Sequence, residues 1–238
     1  MSIPDRFPKI RAPFNRERPE GSDVSYVRPE CRSEYDWVFA GDAVAVEKLH
    51  GTNVAVELEH GDVVQGATRL GSREMNALDP FGSERHQHIT RGIQNTIQRG
   101  FLYQHDNGWV FGEVVGPSFH DNPYNLDEHL FVPFDWLREH AVYEDLPYDL
   151  SFEELREWFD TSLYSHFTAR LDGMAPQEAS VEAGFFAEGV VFIHPSFSGS
   201  VRPSNMETER TSKYEAVATD FAKLRRDMFE SLEPQRKL

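Results

Sequence analysis

Residues 44–57, Val-Ala-Val-Glu-Lys-Leu-His-Gly-Thr-Asn-Val-Ala-Val-Glu, restrict what this chain can fold into more than any other stretch. Val44 and Val46 alternate with Ala43, Ala45 and Glu47, and Val54 and Val56 alternate with Ala55 and Glu57. That period of two predicts a pair of half-buried strands. His50, Gly51 and Thr52 break the pattern, and a glycine there admits backbone or ligand where a side chain would block it. Lys48 closes the first strand. An amine fixed between two strands is a candidate nucleophile. A plain lysine on a surface hairpin fits the same residues.

The remainder of the chain has to supply a core and a partner set for that lysine. With 238 residues, 39% hydrophobic and 13% aromatic, it can bury a sizeable core. Residues 1–32 are rich in Pro, Arg and Glu with little periodicity, so they are expected to form an extended lead-in. Residues 33–238 are expected to form one domain, with no separate C-terminal domain. No apolar run approaches the roughly 18 residues of a membrane span, and the first 20 residues lack the apolar centre of a signal peptide. The expected location is the cytoplasm. A lone Cys31 rules out an internal disulfide and a cysteine-rich metal site.

The formal net charge is -16, with 40 acidic residues against five lysines and nineteen arginines. Phosphate backbones are met by basic surfaces, so this balance excludes a general nucleic-acid coat. Acidity scattered along the chain, with little lysine, is the composition of a salt-loving host or its virus, because high ionic strength screens self-repulsion. An ordinary acidic cytosolic protein is the alternative. Scarce lysine also sharpens attention on Lys48, Lys213 and Lys223.

Further along, Val63 to Arg69 predicts a strand after a Gly61-Asp62 turn. Ile89, Ile93 and Ile97 predict a helix within residues 81–100, with His86 and His88 near its start as surface or cap residues. Trp109 to Val115 reads as a strand carrying Glu113 between glycines, and Leu130 to Asp135 as another apolar strand, with Pro133 suited to an edge. Ser151-Phe-Glu-Glu154 is a capping box ahead of Leu155, Trp158 and Phe159. Residues 185–193 read as a strand interrupted by Glu188, an acid with no basic neighbour in sequence, which a ligand or metal would explain. Near the end, Tyr214, Val217, Phe221, Leu224 and Met228 recur at helical spacing, so helix and strand both remain open there.

Glu47-Lys48-Leu49-His50-Gly51-Thr52-Asn53 resembles motif I, K-x-x-G, of the covalent nucleotidyltransferase superfamily of ligases and capping enzymes. In its K-x-H-G-x-N form it is similar to the bacteriophage RNA ligase 2 family. Five further stretches follow in the family's order. Thr68-Arg69-Leu70-Gly71 resembles motif Ia, and Phe111-Gly112-Glu113 with Gly116 resembles motif III. Phe131 to Asp135 looks like motif IIIa, Glu188-Gly-Val-Val like motif IV, and Lys223-Leu-Arg225 like motif V, with Arg225 where the family's K-x-K has its second lysine. If the terminal helix is real, Lys213 takes the place of Lys223.

The resemblance implies an α+β fold of two antiparallel sheets with flanking helices enclosing a nucleotide. It implies an ATP-dependent RNA ligase that seals RNA 5′-phosphate and 3′-hydroxyl ends through a lysyl-AMP intermediate. Lys48 would be the nucleophile, Lys223 and Arg225 the cations on the phosphates, and His50 and Asn53 groups for sealing. Glu47, Arg69, Glu113, Phe134, Glu188 and Lys223 would join Lys48 in contacting the nucleotide, Phe134 by covering the adenine and Glu188 by positioning Mg²⁺ or Mn²⁺. The implied partners are RNA ends or nicked RNA duplex and ATP, with the protein a monomer. A DNA ligase, a capping-type enzyme and an inactive nucleotide-binding regulator are the alternatives.

Overall fold

The computed structural model describes residues 3–18, 20, 26–68, 75–82, 86–102, 105–144, 146, 151–173, 187–212 and 215–229. Among these, no helix is long and apolar enough to cross a membrane. The chain divides into two compact units, one of residues 1–7, 49–141 and 198–206, the other of residues 8–48, 142–197 and 207–238. Lys48 is the last residue of its segment in the second unit, and Leu49 opens the first.

The unit that begins at Pro8 is built on five strands: β1 (Lys9–Arg11), β4 (Val44–Lys48), β10 (Gly189–Ile193), β11 (Thr208–Ser212) and β12 (Glu215–Arg225). Their order is β1-β12-β10-β4, with β11 also paired to β12. Every pair is antiparallel except β1 with β12, which is parallel. Strands β2 (Phe14–Glu17) and β3 (Tyr26–Cys31) form a separate ribbon. Three short strands therefore lie within residues 1–32, the expected extended lead-in, and Ala12, Phe14 and Val27 are buried in the core. Helix α3 (Phe152–Thr161) starts at Ser151 with both hydrogen bonds of the capping box in place, and α4 (His166–Leu171) follows with Ser165 as its cap.

The other unit holds β5 (Thr52–Glu59), β6 (Asp62–Thr68), β7 (Asn76–Leu78), β8 (Gly108–Val115) and β9 (Leu130–Pro133), in the order β7-β6-β5-β8-β9. Helix α1 (Gln87–Arg99) buries Ile89 and Ile93 against Val54, Val56 and Leu58 on one face of that sheet. Ile97, expected on the same stripe, is exposed, and Thr96 is buried in its stead. Steps of four overshoot a whole turn, so an i, i+4, i+8 row drifts around the helix. Thr96 exchanges hydrogen bonds of 2.7 and 2.9 Å with the backbone of Phe131, fixing α1 to β9.

The observed architecture is mixed α+β with few helices and several sheets. It differs from two antiparallel sheets by the extra β2-β3 ribbon and the parallel edge strand β1. A strand arriving from a distant part of the sequence is not bound to the antiparallel pairing that a hairpin imposes. Two local readings also change. The strand at Leu130 ends at Pro133, which has no N–H to continue a ladder, and Phe134 opens helix α2 (Phe134–His140). The terminal stretch is strand β12, paired on both sides, and helical spacing did not decide it.

Candidate functional site

Cross-strand pairs share a face of the sheet, so register alone sorts the side chains around Lys48. Ala45 pairs with Phe192 and Phe192 with Ala222, while Glu47 pairs with Val190 and Val190 with Leu224. These rows point into the core with Leu155, Phe159 and Leu163. The alternate rows turn the other way. Lys48 pairs with Gly189 and Gly189 with Arg225; Val46 pairs with Val191 and Val191 with Lys223. Lys48, Lys223 and Arg225 therefore share one face, the last two lying 175 and 177 positions after the first in sequence. Gly189, between two of them, is confined by its neighbours, since a Cβ there would lie 2.1 Å from the carbonyl oxygen of Leu224.

Glu188 enters this cationic face just before β10. Its Oε2 accepts a hydrogen bond from Lys48 Nζ, and its Oε1 lies 3.8 Å from Arg225 Nη1. The acid that had no basic neighbour in sequence thus has two in space, which corrects the expectation of an unpaired carboxylate. Arg225 also reaches Asp227 at 3.0 Å, while its buried Nε has no hydrogen-bond partner among the described residues. Cations grouped on one face in this way suit a phosphate chain. No group of three or more His, Cys, Asp or Glu that could hold a metal occurs among the described residues. This donor set fits a hard divalent ion that takes one carboxylate plus phosphate oxygens and retains its waters, not a cage made wholly of protein.

Glu47 goes elsewhere. It is 1% exposed, on the core face of β4. Its Oε1 accepts from Ser165 Oγ at 2.7 Å and its Oε2 from the Phe167 N–H at 2.7 Å. Burial pushes its carboxyl up to about 7, with the bonds from Phe167, Ser165 and the His166 backbone opposing the shift. In place of the nucleotide contact expected of it, the carboxylate is spent inside the protein, because strand alternation sets it opposite Lys48.

In the other unit, Asn53 pairs with Glu113, Ala55 with Phe111 and Glu57 with Trp109 across β5 and β8, and Ala55 and Glu57 pair with Ala67 and Gln65 on β6. This is the face turned away from α1, where Ala55, Ala67, Met75 and Phe111 cluster with Phe7, Trp109 and Phe134. Small residues on the strands and aromatic rings around them make a flat apolar bed. Phe134 meets Phe7 edge-on at 5.2 Å. Three buried acceptors on this face, Asn53 Oδ1, Glu57 Oε2 and Gln65 Oε1, receive no hydrogen bond among the described residues, so the face suits a ligand with donor groups.

His50 and Gly51 sit beside it. A Cβ on Gly51 would fall 2.2 Å from the Val114 carbonyl oxygen, so only glycine passes there. The His50 N–H donates to Tyr124 Oη at 2.7 Å, and its ring stacks on His120 at 3.7 Å with 19° between planes. His120 belongs to a loop in which it, Asp121, Asn122 and Asn125 all take left-handed backbone. Phe7, Glu57, Gln65 and His120 were not found by sequence reasoning. The alternation Asn53, Ala55, Glu57 could have pointed to Glu57, whereas nothing local marks Phe7 or His120. Arg69 and Lys213, both candidates from the sequence, lie outside the described residues.

A family model for RNA ligase matches residues 41–214. No curated protein matches the chain. Among solved structures, similar folds include a variant of Naegleria gruberi RNA ligase with ATP and Mn, at TM-score 0.44 and 14% identity over 81% of this chain and 59% of that one. Naegleria gruberi RNA ligase with PPi gives TM-score 0.43 and 14% identity over 82% of this chain and 60% of that one. A variant with AMP and Mn gives TM-score 0.43 and 14% identity, covering 83% and 62%. The chain thus spans about three fifths of the length of these structures. The family match extends over well more than half of the 238 residues and contains Lys48, Glu113, Phe134 and Glu188. The chain belongs to the RNA ligase family.

Proposed function

We propose that this protein is an ATP-dependent RNA ligase of the bacteriophage RNA ligase 2 type, sealing RNA 5′-phosphate to 3′-hydroxyl ends, as free ends or at a nick in a duplex. The observation that carries the reading is the single sheet face presenting Lys48, Lys223 and Arg225 around Glu188. An amine that attacks phosphorus needs its lone pair free, so the Lys48–Glu188 pair opens and Lys48 gives up a proton to solvent before attack. The Lys48 Nζ–Pα bond then forms as the bond from Pα to the bridging oxygen breaks, and pyrophosphate leaves. An RNA 5′-phosphate oxygen next takes the AMP, breaking the P–N bond and returning Lys48. Finally a 3′-hydroxyl attacks the RNA phosphate and AMP departs.

Lys223 and Arg225 hold the phosphates in line, so the protein contributes chiefly position and charge. Glu188 is the carboxylate for Mg²⁺ or Mn²⁺, which when bound neutralises charge building up on the phosphate. Glu113 takes the ribose side, Phe134 the adenine, Arg69 a phosphate, and His50 and Asn53 the sealing steps. We place the protein as a monomer in the cytoplasm of a salt-loving host, or encoded by its virus, on the dispersed charge of -16. The test is incubation with α-labelled ATP and Mg²⁺ or Mn²⁺. An acid-labile, alkali-stable AMP adduct is expected on wild type and none on Lys48→Ala. Equal labelling of the two would end this reading.

A further inference from the structure

We propose that Glu47 is a positioning residue for Lys48, holding the nucleophile's strand in place by tying its core side to the first turn of α4. The inference rests on the reading of Lys48 as nucleophile, and goes beyond it by giving Glu47 a role that needs no contact with nucleotide.

The geometry is explicit. Glu47 and Lys48 are consecutive and project from opposite faces of β4. Each carboxylate oxygen of Glu47 is committed to its own donor, one on the Ser165 side chain and one on the Phe167 backbone. Two bonds in different directions fix the carboxylate both in distance and in rotation, which one bond would not do. Helix α4 is itself held to the same strand through a neighbouring segment. His166 Nδ1 is 2.9 Å from the Val142 carbonyl oxygen, Val142 bridges to Val46, and the Tyr143 N–H donates to the Ala45 carbonyl at 2.9 Å. The end of β4 is thus held at three successive residues, along its edge at 45 and 46 and on its core face at 47. Beyond Lys48 the chain leaves for the other unit, so no further pairing of β4 follows on that side.

A hydrophobic residue of similar volume would serve the core at position 47 as well or better, since burying a carboxylate carries a large desolvation cost. What the carboxylate adds is direction. Displacement of a reacting atom by about 1 Å costs on the order of 10²-fold in rate, so a grip one residue from the nucleophile acts on catalysis without touching substrate.

The experiment uses the full chain and compares wild type, Glu47→Ala and Glu47→Gln. It measures the single-turnover rate of lysyl-AMP formation at saturating ATP, and separately the binding of a non-reactive ATP analogue. Glu47→Ala should slow adduct formation on the order of 10²-fold while analogue binding holds. Glu47→Gln should recover most of the loss, because its carbonyl oxygen can still accept from Phe167 while its amide donates to Ser165 Oγ. An unchanged rate in Glu47→Ala overturns the proposal, as does a parallel loss of rate and analogue binding, or a Gln variant as slow as Ala. If Glu47→Ala does not fold, Ser165→Ala decides. A slower rate with intact analogue binding supports the tie, and a wild-type rate overturns it. Wild type that forms no adduct at all would instead remove the reading of Lys48.

Discussion

The two five-stranded sheets follow one plan and expose different chemistry. In each, one face is sealed by apolar packing, through Ala45, Val190, Phe192 and Leu224 in one and through Val54, Val56, Ile89 and Ile93 in the other. The opposite faces diverge. One carries Lys48, Lys223 and Arg225 around Glu188. The other carries alanines, aromatic rings and acceptors that receive no hydrogen bond among the described residues. Cations grouped in this way suit phosphate, while an apolar surface edged by amide and carboxylate acceptors suits a base or a ribose. The lesson is a division between chemistry and recognition, and it can be broken by variants that should damage one and spare the other.

The largest effect is expected from Glu188→Ala on the cationic face. Removing the carboxylate that meets both Lys48 and Arg225 should cut adenylylation by at least about 10²-fold at saturating ATP. Circular dichroism and a thermal melt should stay close to wild type. Metal-dependent labelling at the wild-type rate would return Glu188 to a structural ion pair and remove the chemical half of the comparison.

That face also shows what the sequence could and could not disclose. Lys48 and Gly51 were legible because strand alternation and a lone glycine are local signals, and Glu113 stood out between glycines for the same reason. The partners of Glu188 were not legible, since the pair with Lys48 spans 140 residues and only register brings it about. That the Glu47 side chain turns to the core was not legible, because motif spacing says nothing about which face of β4 a residue takes. Phe134 was read one element too early, the proline before it having ended the strand. For β12, residues Val217, Phe221 and Leu224 satisfy helical spacing, and pairing to β10 and β11 overrode it.

The sealed side of the cationic sheet gives the next effect. The Glu47 carboxyl is raised to about 7, above its ordinary 4.5, by burial. A raised folded-state value means that folding favours the neutral form. The stabilisation is therefore present below the unfolded value and is lost as pH rises through the folded one. Glu47→Gln cannot titrate. The stability of wild type relative to this variant should fall by roughly 3 kcal/mol as pH rises from about 4 to about 8, measured by urea unfolding at each pH. Parallel curves would mean that the carboxyl titrates as it does in the unfolded chain.

A smaller change is expected on the aromatic face. Phe134→Ala should raise the KM for ATP about tenfold, the range of one stacking contact, and leave the rate at saturation nearly unchanged. If the ring serves only to pack against Phe7 and Phe111, stability will drop while KM stays put. That result would turn the recognition face into plain core and leave the comparison one-sided.

The smallest effect concerns salt, and it separates the two faces without any mutation. A body of net charge -16 repels a polyanion, and at 0.1 M salt that repulsion reaches over a Debye length of roughly 10 Å. The cations on the β4-β10-β12 face attract phosphate over shorter distances, where a bound chain is partly shielded from added ions. Added KCl therefore weakens the repulsion first. An ordinary basic protein loses nucleic-acid affinity steadily with salt, because each phosphate it neutralises releases counterions. Here nick sealing should rise a few-fold with KCl before it falls, and adenylylation should respond less, because ATP is small and meets chiefly the local cations. Parallel salt series for the two steps test this. Sealing that declines steadily from low salt would show that local phosphate contacts outweigh the acidic surface throughout, and would remove both the inferred salt-loving host and the distinction between near and distant charge.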